Sequence, residues 1–124
     1  MDITPLLPKG RQLITGYGDG GFKINHEFIS GSLLVFPDQT LRWDIADIAN
    51  ISQALLEPVL QAAPSVELLL LGTGSSIVYV DPAIRQALKA RGIGLDIMDT
   101  GAACRTYNVL ITEERRVAAA LIAV

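Results

Sequence analysis

Hydrophobic positions in the first third of the chain come in short runs, each broken after a few residues by Gly, Asn, Asp or Pro. Segments 13–16, 21–24, 27–30, 32–36 and 40–44 have the length and texture of strands. Asn25-His26 separates the second from the third, and Pro37-Asp38-Gln39 separates the fourth from the fifth. The proline presets a turn dihedral and the aspartate can close a turn onto the backbone. The pattern predicts an antiparallel meander. Ahead of it, residues 1–12 carry Pro5 and Pro8 and little periodicity, which predicts an irregular, poorly anchored segment followed by a single domain over 13–124.

The period changes after Asp44. Leu55, Leu56, Val59, Leu60 and Ala63 follow helical spacing behind Ser52, a candidate N-cap, with Pro58 forcing a kink or a start delayed to Glu57. Pro64-Ser65 stops that helix, and the nearly unbroken apolar run 66–71 predicts a strand buried on both faces. A second helix is expected over 83–91, with Asp81-Pro82 as its opening pair and Gly92 as its stop. A strand over 95–98, a helix over 101–112 capped by Asp99 or Thr100, and a strand over 117–124 complete the chain. Strand, helix, strand, helix, strand implies a three-layer α/β domain: a mostly parallel or mixed central sheet covered by helices, with the N-terminal meander extending it or packing on it.

Composition narrows the possible functions. With 124 residues, half of them hydrophobic, the chain is long enough to bury a core, and a formal net charge of −3 gives no basic surface for a nucleic-acid backbone. One cysteine and one histidine, Cys104 and His26, exclude an internal disulfide and a His-rich metal site. The last apolar stretch, 117–124, is too short to span a bilayer, which takes about 18 or more apolar residues. A cytoplasmic protein without cofactor or metal is the expectation.

Two segments concentrate candidate chemistry. The first is Gly72-Thr73-Gly74-Ser75, where a buried strand opens into a turn whose amides could face an anion. A dinucleotide site would need a third glycine and an immediate helix; position 77 is Ile, and Ser75 to Pro82 intervene before the helix body. An ordinary tight turn explains the glycines equally well. The second segment, 100–110, places Arg105 and Asn108 three residues apart on one helix face with Tyr107 between them. If both segments share the carboxyl-end rim of the sheet, a guanidinium, an amide and free backbone N–H groups converge there to suit a carboxylate or phosphate. The alternative is structural: Arg105 pairs with an acid such as Asp99, while Tyr107 and Asn108 satisfy backbone groups of the meander. Cys104 is expected to be a small hydrophobe, since nothing in the sequence brings His26 to it. Asp44, Asp47, Asp81, Asp96 and Asp99 show no ligand spacing, which leaves caps and turns as their expected roles.

Taken together, 69–74 (Leu-Leu-Leu-Gly-Thr-Gly), 98–110 (Met-Asp-Thr-Gly-Ala-Ala-Cys-Arg-Thr-Tyr-Asn-Val-Leu) and 114–122 (Glu-Arg-Arg-Val-Ala-Ala-Ala-Leu-Ile) form a pattern. It resembles a small bacterial and archaeal family of unknown function that also includes mitochondrial complex I assembly factor 3. The likeness begins at 16–22, Gly-Tyr-Gly-Asp-Gly-Gly-Phe, and continues to the C-terminus. The resemblance implies an α/β fold with a β-rich layer. For the mitochondrial branch it implies a non-enzymatic role, with a partner assembly factor, in building the quinone-side arm of NADH dehydrogenase. The N-terminus has no presequence, which suggests a bacterial cytosolic setting. No set of nucleophile, base and orienting group can be named, so the expectation is a protein-interaction or assembly factor, possible partners being respiratory-complex subunits or assembly factors. The competing expectation is a small-molecule or anion-binding domain, or an enzyme, using the glycine turn and an Arg105 pocket.

Overall fold

The computed structural model describes residues 5–7 and 10–124. Three short strands, β1 (Ile14–Gly18), β2 (Gly21–Ile24) and β3 (Glu27–Ser30), form an antiparallel sheet in that order. Each hairpin turns through two residues with positive φ: Asp19 and Gly20 at 56° and 76°, Asn25 and His26 at 51° and 72°. Such turns match the twist of the strands they join.

The expected five-strand meander divides here. β4 (Leu33–Val35) and β5 (Thr40–Arg42) leave the first sheet and join β6 (Leu68–Gly72), β7 (Gly94–Met98) and β8 (Val117–Leu121) in a second, ordered β5-β4-β8-β6-β7. β4 runs antiparallel to β5 and β8, whereas β6 runs parallel to both β7 and β8. The reason for the division lies in the side chains. Leu33, Leu34 and Val35 are all buried, Leu34 against one core and its two neighbours against the other, so β4 needs cover on both faces. Only an interior place in the larger sheet gives it that cover, while β3 is mostly exposed and can remain an edge.

Two cores flank the five-stranded sheet. On one face, α2 (Pro82–Lys89) and the segment around α1 (Glu57–Leu60) cover Leu34, Leu69, Leu71, Leu95, Ala118 and Ala120, with Trp43 buried among them. On the other, α3 (Thr100–Thr112) and the three-stranded sheet cover Leu33, Val35, Leu70, Ala119 and Leu121. The three-layer reading therefore holds. The helix expected behind Ser52 is shorter than its periodicity suggests. Residues Ala54–Leu56 form a 3₁₀ turn and α1 begins at Glu57, because Pro58 lacks the amide that an interior position would donate. Ser52 gives this turn its carbonyl, not its side chain: the Leu55 amide donates to the Ser52 oxygen at 3.1 Å.

Asp47, Asp81 and Asp99 act as N-caps, accepting from the amides of Ala49, Ala83 and Ala102. The expectation of a poorly anchored N-terminal segment fails where that segment is described; residues 1–4 and 8–9 lie outside the described residues. The Leu6 amide donates to the Thr40 carbonyl at 2.9 Å. Gln12 is fully buried, its amide donating to the Pro37 carbonyl and its Oε1 accepting from Thr40 at 2.7 Å.

Candidate functional site

β6, β7 and β8 are parallel, so their carboxyl ends form one rim. The glycine turn and the start of α3 meet there. Gly74 donates its amide to Thr100 Oγ1 at 2.9 Å, the Thr100 amide donates back to the Gly74 carbonyl at 2.8 Å, and Thr100 Oγ1 donates to the Ile122 carbonyl at 2.8 Å. A buried hydroxyl thus joins the ends of β6, α3 and β8. Gly72 is required for this closeness, since a Cβ there would stand 2.9 Å from the Thr100 Cα. Gly74 is required for its φ of +113°.

The same contacts decide what the turn can bind. The Thr73 amide donates to the Met98 carbonyl and the Gly74 amide to Thr100, so neither is free for an anion. The Asp99 carboxylate already caps α3. Its negative charge occupies the place an anionic ligand would take.

Arg105 lies near this end of the molecule, exposed, with Nη1 donating to the Tyr17 hydroxyl at 2.8 Å. Tyr17 in turn lies over Gly101, whose built Cβ would come within 2.7 Å of the phenol oxygen. A chain of contacts therefore runs from Gly74 through Thr100 and Gly101 to Tyr17 and Arg105. Asn108 does share a helix face with Arg105, but that face is turned to β1 and not to the rim. Its Oδ1 accepts from the Ile14 amide at 3.0 Å and its Nδ2 donates to the Ile14 carbonyl at 2.7 Å. Tyr107 is fully buried, its hydroxyl hydrogen-bonded to the carbonyls of Gln12 and Phe36 at 2.9 and 3.0 Å. Tyr107 and Asn108 hold the start of the meander against α3, and the partner of Arg105 is a phenol rather than Asp99.

Sequence reasoning missed the most exposed apolar feature of this rim. After Gly74 the chain runs outward through Ile77, Val78 and Tyr79, with Ile77 66% and Tyr79 82% exposed. The segment is held from behind: Thr73 Oγ1 donates to the Ser76 carbonyl at 2.7 Å and accepts from the Val78 amide at 3.1 Å, while Val80 is buried. Ile-Val-Tyr-Val reads as a strand by propensity, but it lies between a glycine turn and an Asp-Pro helix start and joins neither sheet. That conflict was the available signal.

Cys104 is buried in the core under α3, and desolvation pushes its thiol up to about 12, outweighing the opposite pull of Arg105. His26 sits at the exposed tip of the β2–β3 turn. Alkylation of the folded protein at pH 7 should therefore be at least tenfold slower than after denaturation, as followed by mass spectrometry; equal rates would show the thiol to be accessible. A groove of about 440 Å³ beside Gln39, Leu41, Glu57 and Gln61 includes none of the residues nominated from sequence. Among the described residues, no helix is long and apolar enough to cross a membrane, and no three His, Cys, Asp or Glu side chains are grouped to hold a metal ion.

Residues 14–122 match a family described as protein of unknown function (DUF498/DUF598). NADH dehydrogenase [ubiquinone] 1 alpha subcomplex assembly factor 3 of Xenopus tropicalis is 34% identical over 109 residues, covering 88% of this chain and 60% of that protein. The chain thus spans less than two thirds of that relative's length. An uncharacterised protein of Rhodobacter capsulatus is 37% identical over 109 residues, covering 88% of this chain and 82% of its own. The NMR structure of a Rhodopseudomonas palustris protein superposes with a TM-score of 0.83 at 39% identity, covering 100% of this chain and 93% of that one.

Proposed function

The chain belongs to the DUF498/DUF598 family, and from that premise we propose that it is a cytoplasmic assembly factor that binds a protein partner during construction of a respiratory NADH dehydrogenase. The observation that carries the reading is the outward presentation of Ile77 and Tyr79 on a segment pinned to the rim by Thr73. Large apolar side chains carried in solvent on a backbone segment tied down by Thr73 are suited to docking, because they offer apolar area that a partner can cover. The relatives named for complex I assembly support the choice of client. Gly72, Thr73, Gly74 and Ser75 serve as the frame of this surface, and Arg105 with Tyr17 is linked to that frame through Gly101 and Thr100. Tyr107 and Asn108 act behind it by keeping β1 in place.

Deleting the gene should lower the amount of fully assembled NADH dehydrogenase on native gels by several-fold, while synthesis of its subunits continues. Partly assembled species should accumulate in its place. Unchanged assembly in the deletion strain would contradict the proposal.

A further inference from the structure

β7 is an edge of the five-stranded sheet. The Gly94 amide donates to the Glu67 carbonyl and the Met98 carbonyl accepts from the Thr73 amide, so residues 94, 96 and 98 turn their backbone groups toward β6. By the alternation of a strand, Leu95 and Ile97 turn theirs outward. One of these outward groups is already taken: Arg85, reaching from α2, donates through Nη1 to the Leu95 carbonyl. The amides of Leu95 and Ile97 and the carbonyl of Ile97 have no protein partner among the described residues.

Asp96 sits in the middle of this edge, exposed and outside any ion pair among the described residues. Its side chain lies on the sheet face opposite to Leu95 and Ile97, which enter the α2 core. An antiparallel pairing of two copies in which both use Leu95 and Ile97 would set Asp96 directly opposite Asp96, a repulsive arrangement. A strand carrying a cation at that position would instead meet a carboxylate.

We infer that β7 accepts an extended segment of a partner protein as a sixth strand, with a Lys or Arg of that segment opposite Asp96. The inference rests on the reading of the chain as a protein-binding factor and names the mode of capture: backbone pairing supplies the contact, and Asp96 selects for charge. The end of β7 is joined to the exposed loop through Thr73, whose amide donates to Met98 and whose hydroxyl holds Ser76 and Val78.

The test uses the purified chain and two blocked peptides, Thr-Val-Lys-Val-Thr and the same peptide with Glu in place of Lys, followed by NMR shifts and amide hydrogen exchange. The Lys peptide should bind at least fivefold tighter and slow exchange at Leu95 and Ile97. Asp96→Lys should reverse the preference. Ile97→Pro, which removes an outward amide without touching the bonds to β6, should abolish binding of both peptides. Absence of protection at Leu95 and Ile97, or a preference untouched by Asp96→Lys, overturns the inference. Protection that rises with protein concentration in the absence of peptide overturns it in favour of a second copy. Because these readouts need no client enzyme, the edge can fail while the assembly role stands, and the reverse.

Discussion

Thr100→Val is expected to lower unfolding free energy by about 2 to 5 kcal/mol, because the substitution keeps the shape of the side chain and leaves two groups unpaired. The Gly74 amide loses its acceptor and the Ile122 carbonyl loses its donor. Both lie where Gly72 brings α3 against the end of β6. The buried Gly74 amide contributes about 1 to 3 kcal/mol and the part-buried Ile122 carbonyl about 1 to 2. Urea denaturation with an unchanged slope and a lowered midpoint is the expected outcome. A loss below about 0.5 kcal/mol, the size of an ordinary surface substitution, would show that the hydroxyl does not hold the rim together.

The second large effect falls on binding. Ile77→Ser combined with Tyr79→Ser should leave stability within about 1 kcal/mol of the parent chain, since both side chains stand mostly in solvent and neither belongs to either core. Affinity for the client should nevertheless fall by about 30-fold or more, the effect of losing about 2 kcal/mol from an aromatic anchor and its apolar neighbour. The contrast with Thr100→Val separates the surface from its frame. One change leaves the fold and removes the contact; the other weakens the fold that presents it.

Much of the architecture was legible from local pattern. Asp81-Pro82 and Gly92 bracket α2 as their capping chemistry requires, and Gly92 has a φ of +75°. The nearly unbroken apolar run 66–71 is the buried strand it suggested, although β6 begins two residues later than expected and includes Gly72. The division of the meander was less visible, because hairpin signals describe neighbours in sequence and say nothing of which sheet a hairpin joins. Leu33-Leu34-Val35, apolar without alternation, held that information.

The site was legible only in part. Strand-end topology placed the glycine turn beside α3, but spacing alone could not say which side of α3 faces the rim. Arg105 and Asn108 do share a face, directed to Tyr17 and Ile14 of β1. Two of the amides proposed for an anion, those of Thr73 and Gly74, are bonded within the rim, an outcome set by contacts between positions distant in sequence. Ile77 and Tyr79 escaped notice because residue type signals burial, and only the fold shows that nothing covers them.

The central claim, that this chain works by presenting an apolar rim to a protein, is tested most directly by rescue of the deletion strain. The Ile77→Ser, Tyr79→Ser chain, produced at the parent level and with the parent unfolding midpoint, is predicted to leave assembled NADH dehydrogenase at the level of the strain lacking the gene. Restoration of assembly to the parent level by that folded variant would contradict the account.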